Sequence, residues 1–351
     1  MRYSRVHIEA FGYELPPVVV TSADLEARLE RFYRKHNLPA GQLRVLTGIE
    51  ERRWWEEGYT VSEGAIAAAR KALARSPVEP EDVGCLIYAG VCRENFEPAT
   101  ACRVAAGLGI NPGAAVYDLT NACLGVMNGI TDMANRIELG QIRAGLIVSC
   151  ESAREIVDIT IGQLNENPSM ETFRRSLATL TGGSGAAAVL LSDGSFSRAP
   201  YRRLVGGVTR AAPEFHALCR WGLERILPAS LASQFTQFMS TDSISVLKYG
   251  VELGIRTWRT FLERLGWARD QIDKVICHQV GACHRDSILR ALGIPVEKDF
   301  STFEYLGNIG TVSLPLTAAL ADERGFLNRG DRVGFLGIGS GLNCLMLGWE
   351  W

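Results

Sequence analysis

The segment Tyr117-Asp118-Leu119-Thr120-Asn121-Ala122-Cys123-Leu124-Gly125 decides how this chain reads. It stands between two strongly patterned stretches. Before it, Ala114–Asp118 is a short apolar run of the kind that forms a strand covered on both faces. After it, Leu124, Met127, Ile130, Met133 and Ile137 recur at helical spacing and mark a buried stripe. Cys123 therefore falls at a strand-to-helix junction. The helix dipole and unpaired N–H groups at such a junction favour a thiolate, the nucleophilic form of cysteine. The plainer reading of Cys123 is a small core residue, and its context raises it above the other eight cysteines.

Working outward, the same alternation repeats. Cys85–Ala89, Ala144–Cys150 and Ala186–Ser192 read as buried strands in the first half, and Lys274–Val280, Arg332–Leu336 and Leu342–Trp349 in the second. Val61–Arg75, Leu124–Glu138, Ser245–Leu265 and Val312–Asn328 carry helical patterns. Strands alternating with helices predict an α/β protein with largely parallel sheets. The halves, 1–194 and 195–351, echo one another. Each closes on a glycine-rich segment and a small-apolar strand: Gly182-Gly183-Ser184-Gly185-Ala186, then Gly337-Ile338-Gly339-Ser340-Gly341. Residues 195–244 are less regular and read as an insertion able to shape a pocket.

Composition narrows the function. Of 351 residues, 47% are hydrophobic and 22% charged, which fits a globular protein with a large core. The formal net charge is −2 and no basic run is present, so a nucleic-acid partner is not expected. The nine cysteines contain no CxxC pair, so no metal site of the usual zinc spacing is expected. Met1–Ala10 has no apolar signal-like core, and no apolar run reaches the roughly 20 residues that span a bilayer. The expected setting is the cytoplasm, with most cysteines acting as small buried hydrophobes.

Two further residues suit acyl chemistry. His278 ends the buried run Ile276-Cys277-His278. Asn308 lies in the glycine-framed loop Gly307-Asn308-Ile309-Gly310. Ends of parallel strands are where α/β proteins place their sites. Histidine moves protons near neutral pH, and asparagine can hold an oxyanion. Each also has an ordinary reading: His278 as a satisfied core histidine, Asn308 as a turn former. In Gly337-Ile338-Gly339-Ser340-Gly341-Leu342-Asn343, the sixth position is Leu342, so a GxGxxG dinucleotide loop is not present. Its glycines let backbone N–H groups approach a ligand closely, or simply make a tight turn.

Taken together, these landmarks resemble the ketoacyl synthase III branch of the thiolase superfamily over the whole chain. The resemblance implies a thiolase-like fold of two βαβαβαββ halves in five αβαβα layers, assembled as a homodimer. It implies acyl transfer to Cys123 followed by Claisen condensation, with His278 and Asn308 in the site. The oxyanion would be held by the N–H groups of Cys123 and Ser340. Within that branch, the chain is most similar to enzymes that join two acyl-CoAs head to head. The matching stretches are Gly48–Trp55, Gly206–Arg210, Leu218-Cys219-Arg220 and Val91–Thr100. In those enzymes the glutamate before the proline of the last stretch enters the partner subunit's site; here it is Glu97. A plain acyl thioester must lose an α-proton before it can condense, so such chemistry needs a positioned carboxylate.

The resemblance implies coenzyme A thioesters as substrates, with an acyl carrier protein as the alternative donor to CoA. It implies no bound cofactor, and it allows contact with downstream pathway enzymes. Val45-Leu46 stands where many malonyl-using relatives carry an aromatic and an arginine before Thr47, so no CoA-contact residue is assigned. Three other readings remain. One is a decarboxylating 3-oxoacyl synthase that uses a malonyl thioester and has no need of Glu97. A degradative thiolase would need a second cysteine where Ser340 stands. A catalytically silent scaffold subunit would have lost one of these residues.

Overall fold

The fold was taken from a computed structural model that describes residues 1–197, 201–226 and 234–351. Its strands are β1 (His7–Glu14), β2 (Val18–Thr21), β3 (Glu51–Trp54), β4 (Val83–Ala89), β5 (Ala115–Leu119), β6 (Ala144–Glu151) and β7 (Gly185–Ser192). They continue with β8 (Arg203–Ala211), β9 (Cys219–Ile226), β10 (Gln234–Thr241), β11 (Lys274–Cys277), β12 (Arg332–Gly339) and β13 (Asn343–Glu350). Nine of them run in the order β11-β12-β13-β8-β1-β7-β6-β4-β5. The β8–β1 junction rests on one residue pair, His7 with Arg203, so the sheet divides there into two leaves.

The leaves repeat each other. In the first, β4 runs parallel to β5 and β6, and β7 then returns antiparallel between β6 and β1. In the second, β11 and β12 are parallel, and β13 returns antiparallel between β12 and β8. The counterpart of β5 has shrunk to a single parallel bridge, Val275 with Asp299. The expectation of largely parallel sheets is thus corrected to mixed sheets. The reason is local: β12 and β13 are separated by the tight turn Ser340–Leu342, and so short a connection can only join antiparallel strands.

Helices complete five layers. Gly125–Glu138 and Ser313–Glu323 lie between the leaves and share one core cluster with both. Ser313–Ala321 is buried at every position, as a helix enclosed on all sides must be. Val61–Leu73 and Thr100–Leu108 cover the outside of the first leaf, and Ser243–Leu265 and Ala282–Leu292 that of the second. The stripe Ala65, Ala68, Ala69 and Ala72 lets the first of these helices lie close on β1. There Gly12 is required, because a Cβ on it would fall 1.9 Å from the Ala68 carbonyl oxygen.

The segment 195–244 contains more order than its sequence suggests. Part of it is β8, a central strand, and part is the β9–β10 hairpin. β8 was illegible because Gly206-Gly207 and Thr209-Arg210 interrupt its apolar pattern. Residues 198–200 and 227–233 lie outside the described residues.

Candidate active site

A pocket of about 900 Å³ opens at the ends of β6, β11 and β12. Its wall gathers Cys123, His278, Asn308 and Ser340, which are far apart in the chain. Its remaining surface is mostly apolar. Leu223 and Phe238 of the hairpin contribute, as do Leu177 of Met170–Leu180 and Leu247 of Ser243–Leu265.

Cys123 precedes the helix Gly125–Glu138 and is half-buried. The backbone before it is sharply turned, with Ala122 at φ 46°, a region L-residues seldom adopt. Cys123 follows this turn and lines the pocket; such strained backbone is common at functional sites. The glycine turn closes on it from the second leaf. A Cβ on Gly339 would stand 3.5 Å from the Cys123 nitrogen, and one on Gly337 would collide with Met127 Sδ at 2.5 Å. Asn343 Nδ2 donates to Asn121 Oδ1 at 3.2 Å and to the Ser340 carbonyl at 3.3 Å, tying the two turns together.

The electrostatics correct one expectation. Burial pushes the Cys123 thiol up to about 12, with Cys219 and Glu151 adding to it; its own backbone N–H acts the other way. The resting group is the neutral thiol, because desolvation outweighs the backbone N–H that favours the thiolate. His278 is 4% exposed, and burial, aided by His284, brings it down to about 3. It is a neutral imidazole, able to take a proton. Its Nδ1 has no hydrogen-bond partner among the described residues.

Asn308 is held by its backbone, which donates to the Thr181 carbonyl and accepts from Gly183 N–H, each at 2.9 Å. Its Oδ1 accepts from Gly310 N–H at 3.1 Å. The side-chain NH₂ is thereby left as the donor on the pocket wall.

Glu97 is not in this pocket. It lies exposed beside Phe96, which is 91% exposed, in the loop after β4. Sequence reasoning missed Glu151 and His284, which both line the pocket. Glu151 ends β6, at the same carboxyl edge as the other site residues, and its position was the signal. His284 is likewise pushed down, to about 4, by burial.

The fold and this Cys–His–Asn pocket define a thiolase-type condensing enzyme. Residues 117–201 match the model of the 3-oxoacyl-acyl-carrier-protein (ACP) synthase III family, and residues 262–351 match that of its C-terminal part. An acyl-CoA:acyl-CoA alkyltransferase of Shewanella oneidensis is 55% identical over 100% of both chains. The enzyme of that name from Xanthomonas campestris pv. campestris is 35% identical, again over 100% of both. A crystal structure of a cysteine-to-alanine variant of Xanthomonas campestris OleA superposes with TM-score 0.92 at 34% identity, covering 100% of this chain and 98% of that one. A cysteine-to-serine variant of OleA with bound lauric acid and lauroyl-CoA gives TM-score 0.91 at 33% identity, covering 99% of this chain and 100% of that one. The chain belongs to the OleA-type acyl-CoA:acyl-CoA alkyltransferases, in the 3-oxoacyl synthase III branch of the thiolase superfamily.

Proposed function

We propose that this protein condenses two long-chain acyl-CoA molecules head to head, without decarboxylation. The observation that carries the reading is the pocket: a neutral thiol and a neutral imidazole stand in one cavity whose lining is mostly apolar.

In the first half-reaction Cys123 Sγ attacks the thioester carbonyl. His278 takes the thiol proton and passes it to the leaving sulfur, so free CoA departs and an acyl-Cys123 thioester remains. The N–H groups of Cys123 and Ser340 hold the oxyanion. A second acyl-CoA then enters. Glu97 of the partner subunit removes its α-proton, and His278 and Asn308 donate to the enolate oxygen. The carbanion attacks the acyl-Cys123 carbonyl, a carbon–carbon bond forms, and Cys123 leaves as thiolate. The abstracted proton restores its thiol. The product is a 2-alkyl-3-ketoacyl-CoA, which hydrolysis converts to the β-keto acid. Such a product suits olefinic hydrocarbon synthesis.

This scheme makes the working unit a homodimer, with 1–194 carrying Cys123 and Glu97 and 195–351 carrying His278, Asn308 and Ser340. Coenzyme A thioesters are its substrates. The test is to incubate pure protein with a single long-chain acyl-CoA and no malonyl donor, following free thiol and products by mass spectrometry. A doubled-chain β-keto acid, or the ketone it decays to, is expected. Condensation that begins only when a malonyl thioester is added would make the protein a decarboxylating synthase.

A further inference from the structure

Glu151 has no part in the chemistry just described, yet it is 4% exposed and lies on the pocket wall with Cys123. Burial raises its carboxyl above the ordinary range, against the pull of Cys92 and Val91. Its partners show what occupies it. The backbone N–H of Val91 donates to Oε1 at 2.9 Å, and that of Cys92 donates to Oε2 at 3.1 Å. Both belong to the start of the loop that carries Glu97. The same carboxyl packs on the Asn308 loop, because a Cβ on Gly310 would stand 3.3 Å from its Cγ and 3.5 Å from its Cδ.

The loop is fastened at other points too. The Tyr88 hydroxyl lies 2.7 Å from the Cys92 carbonyl and 2.8 Å from that of Cys150. Arg103 Nη1 lies 3.2 Å from Glu94 Oε2. At the far end, Asp118 accepts from Thr100 N–H at 2.9 Å and from Ala101 N–H at 2.8 Å. The loop is thus gripped at each end by a carboxylate that takes two consecutive backbone N–H groups. Between the grips, Phe96 and Glu97 project outward, and Glu97 makes no hydrogen bond or ion pair among the described residues.

We infer that Glu151 is a positioning residue that acts across the dimer: from the wall of its own pocket it fixes the loop whose Glu97 serves the other pocket. The inference rests on the proposed role of Glu97 of the partner subunit. Because the same carboxyl also touches the Asn308 loop, it gives each pocket a mechanical link to its neighbour.

Glu151→Gln leaves one acceptor oxygen and sets an NH₂ group against a backbone N–H. Displacing a reacting group by about 1 Å can cost about 100-fold. The Glu151→Gln homodimer should therefore condense lauroyl-CoA roughly 10- to 100-fold more slowly. The deciding experiment is a mixed dimer of Glu151→Gln with Cys123→Ala, isolated through two different tags. The one pocket that keeps Cys123 receives Glu97 from the subunit with an intact Glu151. Condensation should return to about half the unaltered rate, one working pocket of two. A mixed dimer as slow as the Glu151→Gln homodimer would overturn the inference and confine Glu151 to its own pocket. A parallel mixed dimer of Glu97→Ala with Cys123→Ala separates the two ideas. If it too is inactive, it is Glu97 acting in trans that fails. Should Glu151→Gln not fold, Asp118→Asn tests the same device from the other grip, with the same expected complementation and the same overturning result.

Discussion

Thr311 Oγ1 accepts a hydrogen bond from the backbone N–H of Val126 at 2.8 Å. Thr311 follows the Asn308 loop, and Val126 lies in the first turn of the helix behind Cys123. One buried hydroxyl therefore satisfies an N–H that a helix start leaves unpaired and holds two parts of the site in register. Thr311 is 1% exposed, so Thr311→Val keeps the shape and removes the acceptor. A buried N–H without a partner costs about 1–3 kcal/mol. Chemical denaturation should show a loss of that size, and condensation should fall with it. An unchanged rate would mean that the two loops hold their register without this bond.

Cys123→Ala should stop CoA release from acyl-CoA, by roughly a thousand-fold or more, as loss of a covalent nucleophile does. The fold should survive, since the change removes one atom at a pocket wall. Calorimetric binding of lauroyl-CoA by this variant, with no turnover, is the expected pair of results. A variant that still releases CoA at an appreciable rate would move the nucleophile elsewhere; Cys219 on the same wall is the first place to look.

The parts of this molecule that sequence reveals share one property: their environment is uniform along the chain. β4, β6 and β7 are buried throughout or nearly so, and their continuous apolarity says so. β1 is harder because its exposure alternates irregularly and His7, Glu9 and Glu14 break the pattern. Cys123, His278, Asn308 and Ser340 were legible because each interrupts a recognisable strand end or glycine turn. Glu151 was hidden because what it holds, Val91 and Cys92, lies about 60 residues earlier in the chain. The protonation of Cys123 was misread because helix position is local, whereas desolvation depends on β9 and β12 closing over it.

His278 sets a pH dependence that can be signed in advance. The unfolded chain binds a proton at this side chain below about pH 6.5, while the folded site resists until about 3. Its contribution to stability is complete above pH 6.5 and is lost as pH falls towards 3. The size is on the order of a few kcal/mol, at 1.36 kcal/mol per unit. Asp299, pushed up to about 6 by burial, works in the opposite direction, so the clean measurement is a difference. Urea titrations at pH 7, 5.5 and 4 should show a smaller acid loss for His278→Asn than for the unaltered protein. Parallel curves would mean that His278 is already protonated at pH 4 in the folded state.

The hairpin should govern which acyl chains fit. Phe238 pairs with Gly222 across β9 and β10, and a Cβ on Gly222 would stand 3.6 Å from the Phe238 ring. Arg220 covers that ring at 5.5 Å. The ring is thus a fixed part of one pocket wall, while Leu247 presents a smaller side chain from Ser243–Leu265. Phe238→Ala should enlarge the cavity and Leu247→Trp should fill it. Each methylene in an apolar pocket is worth about 1–3 kcal/mol of discrimination. Leu247→Trp should therefore lower kcat/KM for palmitoyl-CoA at least tenfold relative to decanoyl-CoA, and Phe238→Ala should shift the ratio the other way. Measured thiol release across a series of chain lengths gives both ratios. Equal losses for long and short chains in both variants would mean that these side chains stabilise the hairpin and do not border the acyl chain.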